Sequence, residues 1–181
     1  MSLSYAILGL LSDRPMTGYD LKLLFDKELN SFWPAHMSQI YQELLKLEEK
    51  EWLESRIERQ KSKPDRKVYK ITASGTHAYN NWINHYPSSL LSPCRDEFAL
   101  RIFLGSGASR EELQFQLRRF IHEKNCEVTT YALLEKKYEK MAKKNKDQYV
   151  LRQMVLRRSH MVAEALVIWA SDCLNKMEKK T

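Results

Sequence analysis

The chain has 181 residues, 43% hydrophobic and 29% charged, with 30 Lys and Arg against 23 Asp and Glu and a net charge of +7. That length holds one domain or two small ones with a real core, and aromatic and branched aliphatic residues throughout exclude a wholly disordered chain. The longest apolar runs, Tyr5–Leu11 and Ala165–Ala170, fall far short of the ~20 residues of a bilayer-spanning helix, and the first residues read as no secretory leader.

Catalytic and metal chemistry find little support. Cys94, Cys126 and Cys173 are odd in number and widely spaced, which argues against a disulfide framework and for a reducing cytoplasm. His36, His77, His85, His122 and His160 are scattered and fit surface or packing roles better than zinc ligation. No phosphate-cradling glycine loop and no nucleophile elbow occurs. No catalytic residue, metal ligand or cofactor is therefore expected, and an enzyme is disfavoured.

Leu3–Leu11 is apolar on nearly every face, with Tyr5, Leu8 and Leu11 at helical spacing, and predicts a buried helix that Asp13-Arg14-Pro15 ends. Thr17-Gly18-Tyr19-Asp20 matches a capped helix start, a threonine hydroxyl with a carboxylate three residues on. This second helix places Leu21, Leu24 and Phe25 inward and runs to about Leu29. Pro34 precedes a third helix over about His36–Lys50. Ile40, Leu44 and Leu47 form its core stripe, and Ser38, Gln39, Gln42 and Lys46 fall largely on the other side. Amides can hydrogen-bond adenine twice and serine lets a helix sit deep in a groove, so Ser38, Gln39 and Gln42 are candidates for base contact. A merely solvated polar face has the same pattern.

Trp52–Gln60 alternates Leu53, Ser55 and Ile57 with charged positions, and Arg66–Thr72 sets Val68 and Tyr69 among β-branched residues, so both predict strands. Lys61–Asp65 joins them as a proline turn, and a further helix begins near Thr72–Gly75. From Arg56 to Lys70 seven cationic residues stand against two acidic ones. Such a hairpin suits phosphates or a minor groove, where counterion release drives binding, and makes Lys61, Lys63, Arg66 and Lys67 candidate contacts. The fold class expected is mainly α: a winged helix-turn-helix domain of three helices plus a two-stranded wing, followed by a long-helix dimerisation domain.

Tyr86–Arg95, with two prolines and three serines, reads as a linker and Gly105–Ser109 as a second break. The expected division is a DNA-binding domain at 1–86, a linker at 87–95 and a helical domain at 96–181. Ser109 caps a helix of roughly 35 residues in which Leu113, Leu117, Phe120, Val128, Tyr131, Leu134, Tyr138 and Met141 recur at helical spacing. The last helix, about Asp147–Glu178, repeats the pattern with Leu151, Val155, Val162, Ala165, Trp169 and Cys173. Two such helices fold on each other or pack against a second subunit, and a reader of two half-sites favours dimerisation. Trp169, Tyr131 and Met161 fit plain core better than an effector pocket, so no effector contact is assigned. Lys136, Lys137, Lys140, Lys143, Lys144 and Lys146 read as a solvated helix end rather than a further DNA contact.

Six pieces in order carry a resemblance: Ala6–Leu11, Thr17–Leu21, Phe32-Trp33-Pro34, Ile40-Tyr41 with Leu44, Leu47-Glu48, and Tyr69–Gly75. Over 1–86 the chain resembles the PadR family of bacterial transcriptional regulators. The second half is similar to the longer helical C-terminal domain of that family's virulence-activator-like subgroup. The resemblance implies a cytoplasmic homodimer bound to a pseudo-palindromic operator in double-stranded DNA, usually a repressor and often released by a small molecule or stress signal, with no membrane partner. By matching position Tyr41 approaches a phosphate, a role that stands beside plain helix packing. Thr17 and Tyr19 open the second helix, where backbone N–H groups hold another phosphate. Two departures stand out: Glu51 where the family often has Gly, and Tyr41-Gln42 where it has Tyr-Pro. The competing function is a protein-interaction module that kept the fold and docks partners through its long helices, a role with no need of a strongly cationic wing.

Overall fold

A computed structural model of the chain describes residues 2–30, 32–59, 65–90, 95–105, 107, 109–141 and 146–179. The chain divides into two compact units, Met1–Ser92 and Pro93–Thr181.

The first unit opens with α1 (Ser2–Asp13), which buries Ile7, Leu8 and Leu11. Past Pro15 the chain makes the short strand β1 (Met16–Thr17) and enters α2 (Gly18–Leu24), which continues as a wide π-type turn over Phe25–Leu29. The third helix, α3 (Met37–Glu49), buries Ile40, Leu44 and Leu47 completely against Ile7, Leu8, Leu21 and Phe25. It runs without a break through Tyr41-Gln42. The buried Ser4 hydroxyl of α1 donates to the Glu43 carboxylate of α3.

At the end of α3 the chain reverses through Glu51, whose φ of 58° lies in the left-handed region. The Trp52 N–H reaches Leu47 O at 2.9 Å and the Glu51 N–H reaches Glu48 O at 2.8 Å, a Schellman closure that satisfies two helix-end carbonyls. Glycine is the residue that takes this conformation without steric cost, which gives the family's preference at this position its physical reason. The turn is made here all the same, by Glu51.

Strands β2 (Leu53–Glu58) and β3 (Arg66–Ile71) pair antiparallel, Leu53 opposite Ile71 and Glu58 opposite Arg66. The wing is a three-stranded sheet rather than a two-stranded one, because β1 adds to the other edge of β3 in the order β1-β3-β2. As the middle strand β3 buries both Val68 and Tyr69, although they point to opposite faces. The alternation expected in β2 fails at Ile57, which is 68% exposed: the hairpin runs beyond the core, and Leu53 is the apolar position of β2 that reaches it. Thr72 then caps α4 (Ala73–Asn84), accepting from the Gly75 N–H at 3.1 Å.

In the second unit Asp96 caps α5 (Glu97–Leu104), an element the sequence pattern did not reveal. Helices α6 (Arg110–Met141) and α7 (Lys146–Glu178) fold on each other as an antiparallel hairpin, with Arg118 paired to Glu178 at 2.8 Å. Tyr138 and Arg152 meet at the other end. The stripe expected on α6 faces inward, with Leu117, Tyr131 and Tyr138 buried. That expected on α7 does not. Leu156, Ser159, Ala163 and Ala170 are the buried positions there, while Leu151, Val155, Val162 and Ala165 lie exposed; of the expected stripe Trp169 meets α6, its ring edge-on to Phe120 at 5.9 Å. No described helix is long and apolar enough to cross a membrane. Residues 91–94 of the expected linker, Lys143, Lys144, and the side chains of Lys140 and Met141 lie outside what is described; Lys136, Lys137 and Lys146 are exposed.

Candidate nucleic-acid interface

The second helix begins in a reciprocal cap. Asp20 N–H donates to Thr17 Oγ1 at 3.1 Å, while Asp20 Oδ2 accepts from the Thr17 N–H at 3.0 Å and from its hydroxyl at 2.6 Å. The side chains thus satisfy two donors at the helix start. Thr17 is buried by this closure, whereas Tyr19 is 58% exposed. Asp20 also accepts from Arg66 Nη2 at 3.3 Å, so the cap ties the helix-turn-helix to the turn end of β3. Partial burial pushes the Asp20 carboxyl up, but the Thr17 hydroxyl and N–H, with Arg66 and Arg14, outweigh it and hold the group below the ordinary aspartate range.

The expected base-reading face of α3 is open. Ser38, Gln39, Tyr41, Gln42 and Lys46 are all accessible to solvent. Gln39 has a local task as well: its Oε1 accepts the His36 N–H at 2.9 Å, closing the start of the helix. Tyr41 has two faces. Its ring lies against Gly18, where an added Cβ would stand 2.7 Å from Cε1 and 3.0 Å from the hydroxyl. The residue is nevertheless 43% exposed, so packing and an accessible phenol coexist on one side chain. A glycine at position 18 is what lets the α3 side chain approach the start of α2.

The wing residues divide. Lys67 donates to Glu48 at 2.8 Å and sits over the Tyr69 ring at 5.0 Å. Glu48 also accepts from Ser55, so one carboxylate of α3 grips both wing strands. The hydrogen bond to Glu48 holds the Lys67 ammonium above its ordinary value, against the opposing effect of burial. Arg66 and Lys67 each keep nearly half of their side chain exposed. Both therefore serve the fold and still present charge to solvent. Lys61 and Lys63 lie outside the described residues. Sequence reasoning missed the roles of Asp20 and Glu48 as anchors of the wing, because each joins segments far apart in the chain.

Thr17, Tyr19, Tyr41, Ser38 and Gln42, with Arg66 and Lys67 of the wing, thus stand on neighbouring elements of one unit: the capped start of α2, the outer face of α3, and β3. The arrangement offers backbone N–H groups, a phenol, amides and cations, a set that can hold phosphates and read base edges.

Comparison with known proteins bears on both units. Residues 7–81 match the transcriptional regulator PadR-like family, and residues 94–178 match the virulence activator alpha C-term family. The chain is 35% identical over 140 residues to the negative transcriptional regulator PadR of Bacillus subtilis, covering 77% of this chain and 74% of that protein. Crystal structures of B. subtilis PadR in complex with operator DNA and with p-coumaric acid give TM-scores of 0.80 and 0.71, each at 28% identity over 98% of this chain and 99% of the other. The virulence activator AphA of Vibrio cholerae gives 0.72 at 28% identity, over 99% of each chain.

Proposed function

The chain belongs to the PadR-like family of transcriptional regulators, and on that premise we propose that it binds a pseudo-palindromic operator in double-stranded DNA as a homodimer, represses transcription there, and is released by a small molecule or stress signal. The outer face of α3 carries this reading. It holds Ser38, Gln39 and Gln42 open to solvent, beside the flank where Tyr41 meets the capped start of α2 and Glu48 meets the cationic hairpin. Tyr41 and the backbone N–H groups that follow the buried Thr17 cap, beside the exposed Tyr19, are assigned to phosphates, Ser38, Gln39 and Gln42 to base edges, and Lys61, Lys63, Arg66 and Lys67 to the DNA backbone. The B. subtilis relative in complex with operator DNA supports DNA binding, and its complex with p-coumaric acid supports a small-molecule effector.

Residues 1–86 are the reader, 87–95 the linker and 96–181 the dimerisation domain in this proposal. The open side of α7 supports a second subunit there: Leu151 and Met154 are 63% exposed and Ile168 is 70% exposed, an apolar surface that water disfavours. Such a regulator works where the chromosome is, in the cytoplasm.

The test is fluorescence anisotropy on duplex from upstream of its own coding sequence, against scrambled duplex, across a salt series. Binding that survives physiological salt and exceeds scrambled DNA by ~10³ supports the proposal. Equal binding to duplexes from the whole genome and to scrambled DNA, vanishing with salt, refutes it. Replacing Lys61, Lys63, Arg66 and Lys67 by Ala weakens binding to every sequence and flattens log K against log salt by about 1 for each phosphate left without its cation. An unchanged slope removes the wing from the interface.

A further inference from the structure

Leu45 is the anomaly on the outer face of α3. The helix has four aliphatic core candidates, Ile40, Leu44, Leu45 and Leu47; three are fully buried, and Leu45 is 55% exposed. At about 100° per residue it points about 130° away from the mean direction of the buried three, and within about 60° of Ser38, Gln42 and Glu49. Leu45 therefore stands in line with Ser38 and Gln42, two of the three residues assigned to base edges, on the side of the face flanked by Tyr41, while Gln39 lies about 120° away.

A single exposed leucine elsewhere on a protein surface needs no explanation. This one lies on a strip whose other members are polar, between two side chains of hydrogen-bonding chemistry. From Ser38 to Leu45 the helix advances about 10 Å, about three base-pair steps, so the strip is long enough to follow a groove floor. Leucine can neither donate nor accept a hydrogen bond, so it cannot read an amine or carbonyl edge. What it can read is the one apolar group the major groove displays, the thymine C5 methyl.

We propose that Leu45 is a specificity-determining residue that selects thymine, by packing its side chain on the C5 methyl of one thymine in each operator half-site. This rests on the DNA-binding reading above. Burying the leucine against that methyl removes both apolar surfaces from water, and a cytosine or a demethylated base at the same step leaves the leucine against a polar edge or a gap. Gln42 and Ser38 then supply hydrogen bonds at neighbouring steps, and the three side chains read adjacent positions by two different kinds of chemistry.

Deoxyuridine supplies the test, since it differs from thymidine by the C5 methyl alone and pairs identically. Duplexes enriched by the full-length protein from a randomised pool are resynthesised with deoxyuridine at one thymine position at a time, symmetrically in both half-sites. Affinities of the parent protein and Leu45→Ala are measured at constant salt. Ala favours helix and Leu45 is not part of the core, so the variant retains its fold, which its circular dichroism and melting transition check. The parent protein is expected to lose about fourfold per half-site at one position, the equivalent of ~0.8 kcal/mol for one buried methylene. Leu45→Ala is expected to bind the thymidine and deoxyuridine duplexes equally there. If the parent protein is indifferent at every position, or Leu45→Ala keeps the full penalty, the Leu45 assignment is overturned while specific DNA binding stands. If the pool yields no sequence bound better than scrambled duplex, the DNA-binding reading fails and Leu45 fails with it.

Discussion

Gly18→Ala separates the two roles that meet in Tyr41. The added Cβ would stand 2.7, 2.8 and 3.0 Å from Cε1, Cζ and Oη of the ring, where carbon atoms settle at about 3.5–4.0 Å. The ring must retreat by about 1 Å. Because the obstacle is the far end of a half-exposed side chain, it can swing outward into water rather than force α2 and α3 apart. An off-rotamer side chain costs about 0.5–1.5 kcal/mol. The same substitution narrows the unfolded ensemble by about 0.4–1 kcal/mol, which largely offsets it. Urea unfolding is thus expected to shift by less than about 1 kcal/mol. The phenol, however, leaves its place at the start of α2. One hydrogen bond to phosphate contributes about 1 kcal/mol, or about fivefold, and a dimer on two half-sites loses about thirtyfold. Tyr41→Phe keeps the ring and lacks the hydroxyl, so it should reproduce the loss of affinity with no loss of stability. Unchanged DNA affinity in both variants would remove Tyr41 from the interface. A loss of more than about 2 kcal/mol in Gly18→Ala, with Tyr41→Phe binding normally, would show that the ring is a packing group alone.

Gly75→Ala meets backbone instead: its Cβ would fall 2.2 Å from the Trp52 carbonyl oxygen that accepts the Thr72 N–H, so the α4 start must move. A net loss of about 2 kcal/mol is expected despite the better helix propensity of alanine, and a raised urea midpoint would contradict it. Glu51→Gly is expected to stabilise by up to about 1 kcal/mol, because φ of 58° costs a side chain and not a glycine; a lower melting temperature would mean that the glutamate side chain contributes more than the strain takes away. The Asp20 carboxyl, held below its ordinary range, gives stability that is full above the unfolded value of about 4 and declines as pH falls through the lower folded value. Asp20→Asn should flatten that part of the acid limb in a pH series of thermal melts, and an identical limb would show that the cap does not titrate there.

What was legible in the chain was what neighbours in sequence decide. The cap at Thr17 and Asp20 spans four residues, and the stripe of Ile40, Leu44 and Leu47 lies within one helix, so both could be read before any partner was known. What required the folded chain was hidden in proportion to its sequence separation. Strand β1 is two residues long and exists because Met16 and Thr17 lie beside Tyr69 and Val68. Arg66 and Lys67 read as free cations, yet their carboxylate partners, Asp20 and Glu48, lie 46 and 19 residues away. Ile57 followed the period of a half-buried strand in a hairpin that has left its core behind.

Helix α7 shows why a period does not name a face. Apolar side chains occupy two sides of it, and the larger ones, Leu151, Val155, Val162 and Trp169, make the stronger pattern. The buried positions are Leu156, Ser159, Ala163 and Ala170 instead, with Leu156 and Ala163 packed on Tyr131 and Tyr138 of α6. Small residues there let two long helices approach closely, so the hairpin is closed by side chains that a search for bulk passes over. Of the larger set Trp169 turns its ring edge-on to Phe120 of α6, and Leu151, Val155 and Val162 are left exposed. The alternatives of folding on each other or packing against a second subunit are therefore not exclusive, since each uses a different face: the intramolecular contact occupies the small-residue side, and the proposed dimer has the bulky side at its disposal. Polar substitution of Leu151 or Ile168 should then weaken self-association while leaving the hairpin intact, whereas Ala163→Leu should disturb the hairpin first.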